Sequence, residues 1–437
     1  MKIWQGGAAK PSEYDPMEYL VKLDVSADTI LEKYEIINLM AYHYELIKIG
    51  IINEEDGKCL LNALIKAYEG KITIDVKDED VHTAIENWVK GLCPKNWENL
   101  RLFLSRNEQV HADMILYLLD SFYKMNKIFQ SCIEKTIGVN GEGYLPGYTH
   151  FQQAMPFTFK SFMNSVLLLL ERNILNVHDF FQKIRINVYG YGSGYGSPIS
   201  AKFDKMGELL GLRYDHKNPI FLSSLYPQTL LEASQLIVTI MMPLSRLSSD
   251  TINYYSRGIM DIPDEFTTGS SLMPNKRNPD YLEMIQGLAA ESVGVSSSIA
   301  SIALNKQIGY HRDFQIAKDS IVFLIEKLIA HLDHLPDLLG RIEFFKEASE
   351  RAVENSSYAT MNAWNAFFKG TRWKEAYARI GNMVRENNEL EKVDFETPTD
   401  NLDIANTRRI IYEEKYIVDS FLSVPERLKN LIRITES

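Results

Sequence analysis

Two long stretches of helical periodicity limit what this chain can fold into. Residues 227–255 and 279–304 each carry apolar side chains at helical spacing over many turns, and strand signals are almost absent from the chain. Helices of this length bury their apolar faces most simply against one another in a bundle. The sequence therefore predicts an all-α fold in which a central bundle of long helices lies between two small helical ends.

Shorter periodic stretches predict the helices of the two ends. We place the domain boundaries at 1–104 for an N-terminal helical domain, 105–350 for the long-helix bundle and 351–437 for a small C-terminal helical domain. The residues up to Asp24 are predicted to be irregular, because glycines and a proline break any period there. The predicted shorter helices cover 28–47, 54–68, 79–86 and onward, 106–137, 359–368 and 373–384.

The composition is that of an ordinary soluble protein. The 437 residues are 45% hydrophobic and carry a net charge of -11, which argues against a protein that tracks the phosphates of a nucleic acid. The most apolar run, 165–170, is far too short to cross a bilayer. Cys59, Cys93 and Cys132 are odd in number and widely spaced, which predicts core thiols rather than a disulfide or a zinc site. We therefore expect a cytoplasmic protein with no membrane, nucleic-acid or metal partner.

The loop between the two long helices, with sequence GSSLMPNKRNP over 269–279, has the composition of an anion-binding loop. A glycine precedes two serines, and Lys276, Arg277 and Asn278 follow. Glycine lets the backbone approach a ligand closely, successive N–H groups can converge on an oxyanion, and the lysine adds a full positive charge. Most serine-rich loops are solvated connections, so the composition alone does not establish a site.

Two other positions combine residue types that handle carboxylates and protons. Arg106 and Asn107 stand at the head of a predicted helix, where they could hold a carboxylate or simply cap the helix. Thr149 and His150 precede another long helix, and we expect His150 at the helix start, as an acid or base or as a structural histidine.

Two further segments have simpler interpretations. His82 and Glu86 lie one turn apart on a predicted helix, where a hydrogen bond is the ordinary outcome. The segment YGYGSGYGSPIS over 189–200 is rich in glycine but lacks the preceding strand and the spacing of a nucleotide-binding fingerprint. We assign neither of them a function.

Taken together, these stretches resemble the argininosuccinate lyases of the fumarase/aspartase superfamily, in the same order over nearly the whole chain. The loop alone would specify only the superfamily, whereas its flanks, with Tyr310, Gln315 and Lys318, favour the argininosuccinate branch. The matching blocks are EDVHTAIE, SRNEQV, PGYTHFQ, GSG, TTGSSLMPNKRNPDYLE, the segment 310–318, and ATMNAWNAFFKG followed by RWKEAYARIG.

The resemblance implies an elimination that needs no cofactor. It implies that Ser270 is the base that removes a proton from the carbon beside a carboxylate, and that Lys276 stabilises the doubly charged intermediate. His150 would assist proton delivery to the departing nitrogen, with Glu283 orienting its ring. The substrate-binding residues that the resemblance implies are Arg106, Asn107, Thr149, Asn278, Tyr310, Gln315 and Lys318.

The resemblance also implies an assembly. It predicts a homotetramer whose central helices form a twenty-helix bundle and whose active sites combine residues of three subunits. The loop around Ser270 would be mobile and would close over the substrate, excluding water. The expected ligands are small molecules: argininosuccinate, fumarate and arginine.

The chain departs from the family pattern at several positions. The arginine of the usual N-terminal GGRF block is missing, Asp24 stands where the family has a serine that binds the amino-acid end of the substrate, and Glu108 replaces an aspartate. In addition, Leu231–Glu232 and His311–Arg312 replace an Arg–Asp and an Asn–Lys pair. These changes fall mostly on recognition and support, so they leave the elimination expected and the leaving group open.

Three functions remain after this comparison. The first is cleavage of argininosuccinate to L-arginine and fumarate, in arginine biosynthesis. The second is release of fumarate from another N-substituted aspartate; adenylosuccinate would require phosphate-binding residues that we cannot place. The third is a non-enzymatic, crystallin-like structural role, which the retention of Ser270, His150, Lys276 and Glu283 argues against.

Overall fold

The computed structural model describes residues 18–70, 72–74, 78, 80–199 and 202–434. Helices dominate these residues, as the sequence predicts, and the all-α fold class is confirmed. The helices are α1 (Glu18–Lys48), α2 (Glu54–Gly70), α3 (Val81–Leu92), α4 (Arg106–Thr136), α5 (Phe159–Ile184), α6 (Asp204–Leu210), α7 (Pro219–Ser256), α8 (Asp280–Ala303), α9 (Phe314–Leu332), α10 (Leu335–Leu339), α11 (Lys346–Ala352), α12 (Ala359–Phe368), α13 (Trp373–Arg385), α14 (Ile404–Leu422) and α15 (Val424–Ile434). Two antiparallel strand pairs accompany them: β1 (Tyr144–Thr149) with β2 (Gln152–Thr158), and β3 (Met260–Asp261) with β4 (Glu343–Phe344).

The centre of the molecule is a bundle of long helices. α7 packs along α8, α4 packs along α5, and α9 crosses onto α4, α7 and α8. α7 has 38 residues and α8 has 24, and the predicted loop joins them, so both long helices are confirmed. By length and composition alone α7 could also cross a membrane, a property that it shares with the long core helices of soluble bundles.

The start of α4 follows from its sequence. Ser105 caps the helix by accepting a hydrogen bond from the N–H of Asn107, and the Glu108 carboxylate accepts one from the N–H of Ser105. This reciprocal capping box satisfies two backbone donors that a helix start leaves unpaired. Arg106 therefore lies in the first helical turn, at the position that the sequence predicts.

The prediction of an irregular segment up to Asp24 is wrong for its last part. α1 begins at Glu18, because no proline or glycine follows Pro16 until the end of that helix. Asp24 thus belongs to α1. The departures around Gly6, and the rest of the first 17 residues, lie outside the described residues.

The near absence of strands is also wrong at one place. Residues around Thr149 and His150 form the β1–β2 hairpin, and α5 begins only at Phe159. Pro146 and Pro156 oppose each other in the hairpin and disfavour a helix on either side of its turn. His150 therefore lies in a tight turn and not at a helix start.

The cysteine prediction is wrong for two of the three residues. Cys59 of α2 and Cys93, directly after α3, form a disulfide, with their Cα atoms 5.9 Å apart. The two helices pack against each other, which brings together cysteines that are separated by 34 positions in sequence. Cys132 is a buried free thiol, as predicted.

The C-terminal part divides between two hydrophobic cores. α14 packs on α4 and α5, and α15 on α2, so the end of the chain returns to the main core. A smaller core around Met361, Ile380 and Leu390 holds α12, α13 and the segment that follows. The predicted boundaries after residues 104 and 350 stay a prediction.

Candidate active site

One group of predicted site residues lies where α1, α3, α4 and α9 meet. The Arg106 guanidinium contacts the Asp80 carboxylate at 3.0 Å and donates to the Thr83 hydroxyl at 2.5 Å. Asp80 is the cap of α3, since its side chain also accepts from the N–H of Thr83. Arg106 is thus held rigidly at the start of α4 by the helix that precedes it.

A buried ion pair forms the second part of this group. The Lys318 ammonium, fully buried on α9, lies 2.6 Å from Asp28 of α1 and 3.4 Å from Asp319. Burial by itself lowers the pKa of Lys318, but the two carboxylates outweigh it, so the pKa is raised and the charge is kept. Asp28 also accepts from the N–H of Val81, which ties α1, α3 and α9 together.

Three fully buried titratable side chains lie beneath this pair. Each of Glu35, His82 and Asp113 places one oxygen or nitrogen atom within 4.8 Å of the corresponding atoms of the other two. Among the described residues, this is the group whose spacing could hold a cation. Burial and the neighbouring Glu35 raise the pKa of Asp113, and Glu35, Asp80 and Asp28 raise the pKa of His82 against its burial. Both shifts favour the protonated forms, which lowers the negative charge of this cluster. The predicted His82–Glu86 contact is absent from the described contacts, because His82 pairs with Glu35 at 3.0 Å and Glu86 faces Arg101.

The described part of the glycine-rich segment, residues 189–199, covers the start of α4. The N–H groups of Gly190 and Gly192 donate to the buried Glu108 carboxylate at 2.9 and 3.0 Å, and both glycines have positive φ. Asn107 donates to the carbonyl of Ser193 at 3.4 Å. Glu108 thus anchors this segment, a role that the sequence did not indicate because it depends on residues more than 80 positions away.

Tyr310 and Gln315 complete this group. The Tyr310 hydroxyl donates to the Gln315 amide oxygen at 3.0 Å, and its ring lies 5.7 Å from the ring of Tyr226 on α7. The structure therefore brings together five predicted residues: Arg106, Asn107, Tyr310, Gln315 and Lys318.

Thr149 and His150 lie at the tip of the β1–β2 hairpin. His150 and Phe151 are its two turn residues, with φ of 51° and 62°, although neither is a glycine. Two consecutive positive φ values are the geometry of a type I′ turn, which residues with a Cβ adopt only at a cost. His150 is exposed, and Phe151 is 96% exposed. The strained turn projects both side chains into solvent.

The base of the predicted loop is closed by a short backbone bridge. Thr268 and Asn278 exchange two N–H···O hydrogen bonds of 3.0 and 2.8 Å. Arg277 fixes this base from outside, contacting Asp261 at 3.2 Å and Asp264 at 2.5 Å. Arg277 is therefore occupied in holding the loop, whereas the exposed Lys276 forms no ion pair with any residue that the structure describes.

Ser270 has backbone donors converging on its side chain. Its Oγ accepts hydrogen bonds from the N–H groups of Leu272 at 3.2 Å and Met273 at 3.0 Å. The neighbouring Ser271 is exposed and has no such contact among the described residues. Two N–H donors aimed at one oxygen favour negative charge on that oxygen.

Glu283 follows the loop in the first turn of α8 and is exposed. No contact joins it to His150 within the described part of the chain. Both the hairpin and the loop lie at the C-terminal end of α7, since Tyr254 donates to the carbonyl of Pro146 and Tyr255 to that of Arg277.

The two ends of α7 separate the predicted site residues. Tyr226, near one end, contacts Tyr310, and Tyr254, near the other, contacts the hairpin. At about 1.5 Å of rise per residue these two tyrosines are roughly 40 Å apart along the helix. A single chain therefore does not bring the Arg106–Lys318 group together with Ser270 and His150.

Leu231, Glu232 and His311, three of the residues that depart from the family pattern, each contact a different part of the chain. Glu232 accepts from Lys183 at 2.7 Å, and the half-buried Leu231 packs against the main core. His311 contacts the carbonyl of Gln307 at 3.0 Å.

Comparison with known proteins defines the class of this chain. The family model described as Lyase matches residues 13–294. The chain belongs to this lyase family, which confirms the predicted membership of the fumarase/aspartase superfamily. An argininosuccinate lyase of Acetivibrio thermocellus is 28% identical over 410 residues, covering 90% of this chain and 89% of that protein. One from Thermotoga neapolitana is 28% identical over 389 residues, covering 87% and 97%. The family and these names together support the predicted carbon–nitrogen lyase.

Solved structures agree on the fold. A crystal structure of EDDS lyase in complex with formate matches with a TM-score of 0.72 at 17% identity, covering 97% of this chain and 92% of that one. A class II fumarase from Schistosoma mansoni matches with a TM-score of 0.68 at 14% identity, covering 94% and 96%. At such identities the likeness shows the shared fold alone.

Proposed function

We propose that this lyase cleaves argininosuccinate reversibly to L-arginine and fumarate, in arginine biosynthesis and without a cofactor. The relatives of that name support the substrate. The geometry of Ser270 carries the chemical part of the proposal, because its oxygen is the acceptor of two converging backbone N–H groups.

Ser270 would act as the base. A serine takes a proton from carbon only in its oxyanion form, and the N–H groups of Leu272 and Met273 are suited to stabilise that anion. Lys276 adds a positive charge that no other described residue neutralises. The elimination would then place the departing electron pair on nitrogen and leave fumarate.

Lys276 and Asn278 would stabilise the intermediate that forms first. Proton removal beside a carboxylate creates a doubly charged aci-carboxylate, so preorganised donors are required. The backbone of Asn278 is used in the bridge to Thr268, which leaves its amide side chain for the substrate. Arg277 holds the loop in place and is a positioning residue in this scheme.

His150 would assist protonation of the leaving nitrogen, with Glu283 orienting the imidazole and stabilising its charged form. Thr149 would bind substrate beside it. Because His150 and Glu283 do not meet within the described chain, the scheme requires that they come from different subunits.

Arg106, Asn107, Tyr310 and Gln315 would hold the substrate's carboxylates and amino group, and Lys318 would support this binding through Asp28. Lys318 is already paired with Asp28, so we propose that it acts mainly by fixing Asp28 and the neighbouring backbone.

A homotetramer with shared sites is part of the proposal. The roughly 40 Å between the ends of α7 is its main support. Further support comes from exposed apolar groups: Phe151 at the hairpin tip is 96% exposed and Leu272 in the loop 84%. The exposed residues of α8 include Met284 and Val293 with Gly287 and Gly294, a combination that permits close packing of another helix. A cytoplasmic location belongs to the proposal too, and it implies that the neighbouring Cys59 and Cys93 are reduced in the cell, because cytoplasmic thiols are kept reduced.

A second candidate is the release of fumarate from another N-substituted aspartate. Asp24 supports it, because this residue stands where the resembling enzymes have a substrate-binding serine. EDDS lyase shows that the same fold occurs in an enzyme with a different name and ligand.

The test follows the absorbance of fumarate after adding argininosuccinate, with adenylosuccinate and aspartate in parallel. Fumarate from argininosuccinate alone would support the first candidate, and its absence from a folded oligomer would refute it. Ser270→Ala should lose roughly a thousandfold or more in kcat, whereas the matched variant Ser271→Ala should keep near-normal turnover. Equal turnover of the two variants would refute the assignment of the base.

Lys276→Met and Arg277→Met form a second matched pair. Loss of Lys276 should lower kcat by about 10²–10³-fold, as for other donors to a developing charge. Loss of Arg277 should act mainly on KM, through a less ordered loop. Equal effects on kcat would contradict the distinction between the two residues.

A further inference from the structure

The turn between α12 and α13 carries a cluster of four exposed aromatic side chains, which we call the aromatic tip: Phe367, Phe368, Trp373 and Tyr377. Phe368 is 81% exposed. The ring of Phe367 lies 5.7 Å from that of Phe368 and 6.5 Å from that of Trp373, measured between centroids. The Trp373 ring in turn lies 6.0 Å from that of Tyr377. Single exposed apolar residues need no explanation, whereas a contiguous group of large ones marks an interaction site.

The aromatic tip projects from the small C-terminal core. α12 ends at Phe368 and α13 begins at Trp373, so residues 369–372 form the turn between them. Gly370 in this turn has a φ of 98°, and a side chain built on it would meet nothing within 4 Å beyond its chain neighbours. Met361 and Ile380, which the small core buries, lie two turns away from the tip along the two helices. A projecting turn fits a broad surface better than an extended peptide, which needs a groove or a free strand edge.

Basic side chains surround the aromatic tip. Those of the segment 367–379 are exposed and form no ion pair with any residue that the structure describes: Lys369, Arg372, Lys374 and Arg379. The same segment contains one carboxylate, that of Glu375, although the whole chain carries a net charge of -11. On a helix with 3.6 residues per turn, Lys374 lies on the Tyr377 side of α13 and Glu375 on the opposite side. The tip is therefore locally positive in an acidic protein.

The chemistry of the aromatic tip favours a lipid surface over a nucleic acid. Single-stranded nucleic acids stack their bases on open aromatic faces. The Phe367 ring meets those of Phe368 and Trp373 at interplanar angles of 65° and 86°, so neighbouring rings cover part of the faces on which a base would stack. Trp and Tyr rings with flanking Lys and Arg are, in contrast, the residues that proteins place at membrane–water interfaces.

We propose that the aromatic tip docks this protein on the surface of a membrane that contains anionic lipids. The phenylalanines enter the outer part of the bilayer, Trp373 and Tyr377 lie at the level of the headgroups, and the surrounding cations contact lipid phosphates. The arrangement requires no helix that crosses the bilayer, so the short apolar run from which we expected no membrane partner does not exclude it. The tip contains no residue of the proposed elimination, so its failure and the failure of the proposed function are separate results.

Sedimentation of the full-length protein with lipid vesicles tests the proposal. One set of vesicles consists of phosphatidylcholine, and the other of equal parts of phosphatidylcholine and phosphatidylglycerol. We expect half of the protein to bind the anionic vesicles at about 0.1 mM accessible lipid, the affinity of a single acyl anchor, and the neutral vesicles at least roughly tenfold more weakly. Raising the salt concentration from about 0.05 M to about 0.5 M should weaken the anionic binding about tenfold, because salt screens the cations.

Three outcomes of this experiment would overturn the proposal. The first is no saturable binding up to about 5 mM lipid. The second is equal binding to anionic and neutral vesicles. The third is binding to a single-stranded oligonucleotide or to an acidic peptide in place of the vesicles.

Matched variants locate the contact. Phe368→Ser should weaken vesicle binding about tenfold, whereas Tyr412→Ser, which removes a similarly exposed ring from α14, should change nothing. The double variant Lys369→Gln with Lys374→Gln should lose about fivefold for each cation, on anionic vesicles alone. Its control is Lys66→Gln, at an exposed lysine of α2, which should lose nothing. Circular dichroism checks that each variant is folded.

Tryptophan fluorescence places the aromatic tip in the bilayer. Trp373 is exposed, whereas the other tryptophans that the structure describes are partly buried: Trp88, Trp97 and Trp364. Lipids with brominated acyl chains should quench the fluorescence when the protein binds. Trp373→Phe keeps an aromatic ring and the binding, and should remove most of the quenching. Vesicle binding that is unchanged by Phe368→Ser, or quenching that persists in Trp373→Phe, would overturn the assignment of the tip.

Discussion

Replacing Lys318 by methionine tests the buried pair that connects α1 with α9. Methionine keeps nearly the volume of the side chain, although it is one atom shorter, and removes the ammonium from a site with no solvent exposure, 2.6 Å from Asp28. Within the described part of the chain, Asp28, itself 4% exposed, would keep only the N–H of Val81 as a donor, at 3.1 Å. An uncompensated buried charge of this kind costs about 3–5 kcal/mol of unfolding free energy.

Asp28→Asn should cost less than Lys318→Met. The ammonium would keep Asp319 at 3.4 Å, and asparagine still offers an oxygen to it. The double variant should lose less than the sum of the single losses, by about 0.5–3 kcal/mol, because its two changes remove the same interaction.

Urea unfolding followed by circular dichroism measures these differences, at one fixed protein concentration because association shifts apparent stability. Lys327→Met is the matched control: its ammonium contacts Glu291 at 2.5 Å, but the side chain is 54% exposed. Such surface pairs contribute about 0–1 kcal/mol. A loss for Lys318→Met no larger than for Lys327→Met would refute the reasoning from burial.

Three further predictions address other parts of the structure. The pKa of His82 is raised in the folded state, so its pairing with Glu35 stabilises the fold fully below the unfolded pKa of about 6.5 and less as the pH rises through the folded pKa. The difference in unfolding free energy between the wild type and His82→Gln, measured by urea unfolding, should therefore shrink towards alkaline pH. A difference that stays constant with pH would contradict this. Phe151→Gly should relieve left-handed strain in the turn but remove the exposed ring that the proposed tetramer would bury, so it should shift the oligomer towards smaller species in analytical ultracentrifugation; an unchanged oligomer would contradict the burial of this side chain in the assembly. Cys59→Ser should lower the free energy of unfolding by about 4 kcal/mol relative to the oxidised protein, which is the chain-entropy value for a loop of this length. A reducing agent should lower the unfolding free energy of the wild type but not that of the variant. A wild type whose stability does not respond to reduction would contradict the disulfide.

The helices and the chemistry-bearing loop were open to prediction because their signals are local. Apolar spacing within 227–255 and 279–304 specifies the exposed and buried faces of α7 and α8 without reference to the rest of the chain. The capping residues Ser105 and Glu108 lie within one turn of each other, so they also act locally.

The hairpin at His150 was missed for the opposite reason. Its strands are short and carry prolines, and they are held by the C-terminal unit: Ser349 donates to the carbonyl of Tyr144, and Gln153 to that of Ala352. These partners are about 200 positions distant, and no local pattern reveals them.

The sequence alone determined the helical class of this protein, the position of its long helices and the residue types available for an elimination. Tertiary structure decided which of those residues are free and which are occupied. Lys318 meets Asp28 across 290 positions, Arg277 is committed to Asp261 while Lys276 is not, and the length of α7 keeps Ser270 away from Arg106 within one chain. The physical reason is that helix formation depends on neighbours within a turn, whereas the partner of a charged side chain depends on which surfaces the whole fold brings into contact.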